Sequence, residues 1–401
     1  MLLIIVTLIL LIPVVTLFMQ VVMATFAAPC RKKDTETIHN KSPSVCVIVP
    51  AHNESAGILE TLHSLVSQLQ ANATLIVVAD NCTDDTAQVA RDFFRAHALK
   101  PFKAEVIERN HRELRGKGYA LDFGVRHCKN NPPEVVIIVD ADCLLDDGTI
   151  AALANSCVTH QKPIQARYLM RGYADSSLKI KVAEFAMRLK NRIRPIGYKQ
   201  LGLPCQLMGT GMAFLWEDIN AIELASGHIV EDLKMGLDLS ALAQYPIFHD
   251  EHEVYSYFPQ ASLGFEQQRA RWEHGQMSVI LQDAKNVFFQ AISRLDYRLL
   301  ALALDLIIPP LALLTMFNIV AMVLNGIFYY FTGLIWSFEI ALLSNFLLIL
   351  SILIAWWYAG RDILSSKQLL FLPLYLLQKI PLYIQFLFNR QVTWVRTKRD
   401  K

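Results

Sequence analysis

The chain has 401 residues, of which 53% are hydrophobic and 18% charged, with Lys+Arg 38 against Asp+Glu 36. Soluble domains carry about 25% charged residues, so an ordinary soluble protein is excluded, and a net charge of +2 gives no footing for a nucleic-acid partner. Seven cysteines lie at irregular spacings with no C-x-x-C pair. That argues for reduced thiols in a cytosolic compartment and against a disulfide frame or a zinc site.

Residues 2–29 carry no charged side chain. As a helix they are long enough to cross roughly 30 Å of hydrocarbon. They lack the positive n-region of a cleaved leader and read as a retained anchor, residues 1–29. Arg31, Lys32 and Lys33 follow directly. Positive charge marks the cytoplasmic side, so the next segment is expected in the cytosol.

From residue 44 to about 170 apolar, β-rich runs alternate with helical periodicities. The runs are S-V-C-V-I-V (44–49), T-L-I-V-V-A (74–79), A-E-V-I (104–107), E-V-V-I-I-V (134–139) and I-Q-A-R-Y-L (164–169). This pattern predicts an α/β domain with a parallel sheet covered on both faces. Ligands of such sheets bind at the carboxyl ends of strands. At those ends stand P-A-H-N-E-S (50–55), D-N-C-T-D-D-T (80–86), R-G-K-G-Y-A-L (115–121) and D-A-D (140–142). Each has a purely structural reading. Asn53, Ser55, Thr83 or Asp84 could cap a helix, and the glycines beside Lys117 could make a turn. Together they form a phosphate-and-metal constellation. Lys117 near a helix N-terminus suits a diphosphate. Asp140 and Asp142, two residues apart on a strand end, point to one side and suit a hard divalent cation, Mg²⁺ or Mn²⁺.

Residues 175–199 hold seven Lys and Arg against Asp175 and Glu184. They predict a basic amphipathic helix on the membrane surface. G-T-G-M-A-F (209–214) places glycines where backbone passes close to something. V-E-D (230–232) opens a helix, for which Asp232 could be only the N-cap. H-D-E-H-E (249–253) reads as a solvated loop rather than a metal site, because it lacks a helical i, i+4 His pair. Q-Q-R-A-R-W (267–272) packs guanidiniums and an indole that suit a phosphate and a sugar face, or a surface cation–π pair. Apolar runs follow at about 299–333, 335–358 and 368–388. The first is longer than one span needs. The third is interrupted by Pro373, Lys379 and Pro381 and reads as re-entrant or surface-lying, with a plain third span as the alternative. The expected organisation is an anchor (1–29), a cytosolic domain (42–290), membrane segments of two to three helices (297–390) and a basic tail (391–401).

Taken in order, these motifs resemble those of membrane-bound inverting glycosyltransferases of family 2. That group includes cellulose, chitin-oligosaccharide, hyaluronan and poly-N-acetylglucosamine synthases and ceramide glucosyltransferase. The resemblance covers residues 44 to about 285. It implies a GT-A type, Rossmann-like nucleotide-sugar-binding domain with transmembrane helices at both ends. By the resemblance, Glu54 and Asp80 hold the nucleoside and Lys117 contacts the nucleotide. Asp140 and Asp142 form the D-x-D, with Asp142 favoured as the direct metal ligand. Asp232 is the general base, with Glu231 beside it raising its pKa and facing the acceptor. Gln268, Arg271 and Trp272 match Q-x-x-R-W and bind the donor diphosphate and the acceptor end.

The implied reaction moves a sugar, with UDP the favoured carrier, to a lipid-linked or glycan acceptor in surface or exopolysaccharide assembly. The implied setting is multi-pass in the plasma (inner) membrane, with the catalytic domain facing the cytoplasm among membrane lipids; a homo-oligomer is allowed. The cellulose-synthase gating signature F-x-V-T-x-K is not found, and few membrane segments are readable. Both favour single addition over a processive β-polysaccharide synthase; a glycolipid (ceramide-like) glucosyltransferase stands as a second alternative. A non-catalytic nucleotide-binding membrane protein is the alternative from another class.

Overall fold

The computed structural model describes residues 2–27, 42–259 and 262–388. Arg31, Lys32, Lys33 and the basic tail lie outside the described residues. In chain order the elements begin with α1 (Leu2–Thr25), β1 (Val45–Ala51), α2 (Ile58–Val66), β2 (Ala73–Asp80) and α3 (Thr86–Ala96). Then come β3 (Lys103–Arg109), α4 (Lys117–His127), β4 (Val135–Ile138), β5 (Leu144–Leu145), α5 (Thr149–His160) and β6 (Ile164–Arg171). Next are α6 (Leu178–Arg188), a π-helical turn (Leu189–Ile193), α7 (Arg194–Gln200), β7 (Met212–Leu215), α8 (Trp216–Asn220), α9 (Glu231–Ala241) and β8 (Ile247–Tyr257). The last are α10 (Ser262–Gln282), α11 (Ala284–Ser293), α12 (Tyr297–Leu306), α13 (Leu311–Thr332), α14 (Trp336–Ala359), α15 (Ser366–Leu369) and α16 (Leu372–Phe388).

The chain divides into two units. A sheet unit spans Pro29–Arg171 and Cys205–Gln268; a helical unit takes Met1–Ala28, Gly172–Pro204 and Arg269–Gln391. In the sheet unit the described strands form one sheet in the order β3-β2-β1-β4-β7-β6-β8-β5. Strands β1 to β4 run parallel, as the unbroken apolar runs of β1, β2 and β4 predict, and Asp80 at the end of β2 lies opposite Arg109 of β3. Beyond β4 the expected all-parallel pattern fails, because β7 is antiparallel to both β4 and β6. This strand is only four residues long and sits inside G-T-G-M-A-F, where Gly209 (φ 91°) and Gly211 (φ 62°) bend the chain into it. So short a run carries little periodic signal.

H-D-E-H-E is also corrected: it lies in β8, not in a solvated loop. Asp250 and Glu253 are buried and pair with Arg167, at 3.1 and 2.9 Å, on the adjacent strand β6. Arg171 adds a contact to Glu253 at 2.6 Å. Cross-strand ion pairing of this kind hides the charges of Arg167, Asp250 and Glu253 inside the sheet, while Arg171 stays partly exposed.

One face of the sheet carries a core built from Ile48, Ile76, Val78, Val136, Ile138 and Phe214. Ala120, Leu121 and Val125 of α4 and Met235 and Leu239 of α9 pack into it. Both helices therefore lie over the same sheet face. Burying these apolar side chains, at about 25 cal/mol per Å², fixes where their first residues fall.

In the helical unit, α1, α13 and α14 are long and apolar enough to cross a membrane. Their contacts with one another are polar in part. Asn325 donates to the Thr7 hydroxyl at 2.9 Å, and the Ser344 hydroxyl donates to the Asn318 carbonyl oxygen of its side chain at 2.6 Å. Such interhelical bonds hold helices together where lipid offers no hydrophobic drive. Trp336 and Trp357, both exposed, mark the ends of α14; a helix separates them by about 31 Å, close to the hydrocarbon thickness, and indoles favour its borders.

The long apolar run from 299 is broken into α12 and α13 around Pro309 and Pro310. The basic stretch 175–199 becomes α6, the π turn and α7. Not all of its charge is solvated. Arg194 is buried, bonded to Asp305 at 2.6 Å, and Gln20 of α1 bonds the same carboxylate at 2.6 Å.

Candidate active site

Two loops at the carboxyl edge of the sheet tie themselves together. Asn53 adopts φ 56°, and its side-chain oxygen accepts from the backbone N–H of Thr83 at 2.6 Å. The backbone N–H of Glu54 donates to the Thr86 hydroxyl at 2.8 Å, and that of Ser55 donates to Asp84 at 3.2 Å. Burial works against the Asp84 charge, but hydrogen bonds from Thr86 and Ser55 outweigh it and hold the carboxyl below its ordinary value. These groups bind one loop to the other rather than simply capping a helix.

Next to them Asp80 is buried and accepts from Arg109 Nη1 at 2.6 Å and from Asn81 at 3.0 Å. The Arg109 guanidinium also donates to the Leu114 carbonyl and lies 5.3 Å from the Tyr119 ring centre. Sequence reading missed Arg109. Its signal was present, as the last residue of β3 directly opposite Asp80 in a parallel pair.

The densest cluster of charge surrounds Lys117, the first residue of α4. Its ammonium lies 2.5 Å from Asp140, 2.7 Å from the Gly209 carbonyl and 3.5 Å from Glu231. Burial opposes the ammonium charge. Asp140, Glu231 and then Asp232 more than offset this and raise Lys117 above the ordinary lysine value. Burial pushes Glu231 up to about 7, with Lys117 opposing and Asp232 adding to the shift. Gly209 adopts φ 91°, in the left-handed region that side chains disfavour, and a Cβ there would come into contact with Asp232 Oδ2 at 3.4 Å and Lys117 Nζ at 3.5 Å. Gly118 is constrained by space instead, since a Cβ would fall 2.6 Å from the Leu224 and Ser226 carbonyl oxygens. The R-G-K-G glycines therefore do more than make a turn.

Asp140 is further held by its backbone N–H, which donates to the Thr210 hydroxyl at 3.0 Å. Potential ligand atoms of Asp140, Asp142 and Cys143 lie within 4.8 Å of one another. Burial keeps the Cys143 thiol well above its ordinary value, so the usable donors are carboxylate oxygens. The carboxylate oxygens of Asp140 and Asp142, close together at the strand end, are a donor set that fits a hard divalent cation.

The structure thus brings Lys117, Asp140, Asp142, Glu231 and Asp232 together, with Glu54 and Asp80 at the neighbouring strand ends. Gln268 is buried on α10 within the sheet unit. Arg271 and Trp272, half-buried, follow on α10 within the helical unit.

A mixed α/β sheet with this acidic edge beside a helix that opens on Lys117 fits a GT-A type fold. Residues 135–360 match the model of glycosyl transferase family group 2 and residues 46–205 that of glycosyl transferase family 2. The chain belongs to glycosyl transferase family group 2, whose model matches more than half of it. It is similar to the poly-beta-1,6-N-acetyl-D-glucosamine synthase of Staphylococcus epidermidis, 29% identical over 109 residues, 27% of this chain and 24% of that protein. It is also similar to the 4,4'-diaponeurosporenoate glycosyltransferase of Staphylococcus aureus, 32% identical over 108 residues, 27% of this chain and 26% of that protein. The chain thus spans about a quarter of the length of the curated relatives it matches. Among solved structures it resembles the mannosyltransferase PcManGT of Pyrobaculum calidifontis in complex with GDP-Man and Mn²⁺. That likeness covers 97% of this chain and 100% of the other, with a TM-score of 0.55 at 17% identity, and shows the fold.

Proposed function

We propose that the protein is a membrane-anchored, inverting glycosyltransferase that moves one sugar from a nucleotide-sugar, UDP-linked by preference, to a lipid-linked or glycan acceptor. The observation that carries this is the convergence of Lys117, Asp140, Glu231 and Asp232 on one sheet edge. Asp232 takes the proton of the acceptor hydroxyl as that oxygen attacks the anomeric carbon. One direct displacement inverts that centre, and the electron pair of the breaking bond leaves with the diphosphate. Glu231 disfavours further negative charge beside it and so strengthens Asp232 as a base. Lys117 orients Asp140 and faces the nucleotide. Asp80 and Glu54 hold the nucleoside, and Gln268, Arg271 and Trp272 serve the diphosphate and the acceptor. Asp140 and Asp142 would hold the divalent cation, which when bound neutralises charge on the leaving diphosphate.

The three apolar helices are read as membrane spans, with the sheet unit on the cytoplasmic side of a bacterial-type inner membrane. The basic residues Arg361 and Lys367 after α14 support that orientation. A processive reading has one support, since one relative's name is that of a polymer synthase. The test is a donor screen: release of nucleoside diphosphate by the full-length protein in membranes, with product length read by mass spectrometry. One donor should release diphosphate in a cation-dependent way and give a product longer by one sugar. A long homopolymer from one donor overturns single addition. Failure of every nucleotide-sugar overturns the activity.

A further inference from the structure

Helix α10 carries the Q-x-x-R-W side chains Gln268, Arg271 and Trp272, and a second set of charges that this motif leaves unused. Arg269 Nη2 lies 2.9 Å from Glu273, one turn further along the helix. The same Glu273 oxygen accepts from Lys379 of α16 at 2.8 Å. Arg269 also donates to the Tyr375 hydroxyl of α16. His274 adds a ring contact to Phe386, 5.2 Å between centroids. Side chains of Arg269, Glu273 and Lys379 are 13%, 9% and 8% exposed. Lysines almost never become this buried unless paired, and burying charge is costly unless every partner is in place. Two cations share one carboxylate, so loss of Glu273 would leave like charges facing each other across the α10–α16 contact.

We propose that Lys379, Glu273, Arg269 and Tyr375 form a latch through which α16 fixes the rotation and depth of α10, making them positioning residues for glycosyl transfer. The interruption of the last apolar run by Lys379 then has a purpose: it supplies the latch cation. The proposal rests on the reading that Arg271 and Trp272 serve the transfer.

The test compares Lys379→Met, Lys379→Arg and Arg271→Ala in the full-length enzyme in membranes. The readouts are kcat, donor KM and cation-dependent binding of nucleoside diphosphate by calorimetry. Displacing a binding group by about 1 Å costs about 100-fold, so Lys379→Met should lower kcat by about that factor, while diphosphate affinity, carried in this reading mainly by Lys117 and by the cation on Asp140 and Asp142, stays within about threefold. Lys379→Arg should recover most of the rate. A merely structural lysine would lower binding and turnover together, and that outcome overturns the latch, as does wild-type turnover by Lys379→Met. Should Lys379→Met not accumulate, Tyr375→Phe replaces it: a fall in kcat at unchanged donor KM is expected, and an unchanged kcat overturns the latch. Full transfer by Arg271→Ala overturns the reading beneath the proposal. Lost transfer by Arg271→Ala beside an active Lys379→Met overturns the latch alone.

Discussion

Lys117 is the cation on which the acidic edge depends, and its removal should show in both stability and pH dependence. In Lys117→Met, Asp140 loses a partner at 2.5 Å and Glu231 one at 3.5 Å. At an effective dielectric of about 20 those separations correspond to about 7 and about 5 kcal/mol of gross attraction. Desolvation of the ammonium opposes them, and removing one partner of a buried pair leaves a net cost of about 3–5 kcal/mol. The carboxylates can recover part of it by taking up protons. Glu231, already pushed up to about 7, rises further once the lowering effect of Lys117 is gone.

A carboxyl raised in the folded state binds its proton more tightly there than in the unfolded chain, so stability falls as pH rises through that window. The deficit of the variant should therefore be largest near pH 8 and smaller near pH 6. At about 2–4 °C per kcal/mol for a unit of this size, the melting temperature should drop by about 6–20 °C at pH 8. Fluorimetric melting in detergent, without added cation, measures it at both pH values. An equal drop at both, or no drop at pH 8, would refute the reasoning.

Three further outcomes follow from the same geometry. Glu231→Gln should flatten the decline of melting temperature between about pH 5 and pH 8, because the raised carboxyl that causes it is gone; a decline as steep as that of the parent protein contradicts this. Gly209→Ala places a Cβ at φ 91° within 3.5 Å of Lys117 and Asp232. It should cost about 1–3 kcal/mol and lower transfer, and an intact rate and melting temperature would count against the packing described. Asp142→Ala should abolish the Mn²⁺-dependent part of nucleoside diphosphate binding in calorimetry, and an unchanged cation dependence would remove Asp142 from the ligand set.

Strands β1, β2 and β4 were legible because each is an apolar run buried on both faces, and the acids at their carboxyl ends stood out against it. Strand β8 was illegible for a physical reason. Its acids are compensated by Arg167 and Arg171 of a neighbour about 80 residues earlier, a pairing that no pattern within the strand reveals. Arg194 misled in the same way: it read as one charge of a basic helix on the membrane surface, yet Asp305 and Gln20 enclose it. Arg109 and Glu273 were passed over because their significance lies in partners supplied by β2 and α16. Periodicity reports which face is apolar; long-range charge compensation becomes visible only once the chain is folded.

The most direct test of the chemistry is Asp232→Asn, which keeps the shape of the side chain beside Lys117 and Gly209 but removes the base. A positioned base contributes about 10²–10⁴-fold to such a step. The variant should bind nucleoside diphosphate and cation as the parent does, within about threefold, while sugar transfer falls by about three orders of magnitude. Transfer by Asp232→Asn at the parent rate, with binding intact, would contradict the assignment of Asp232 as the base.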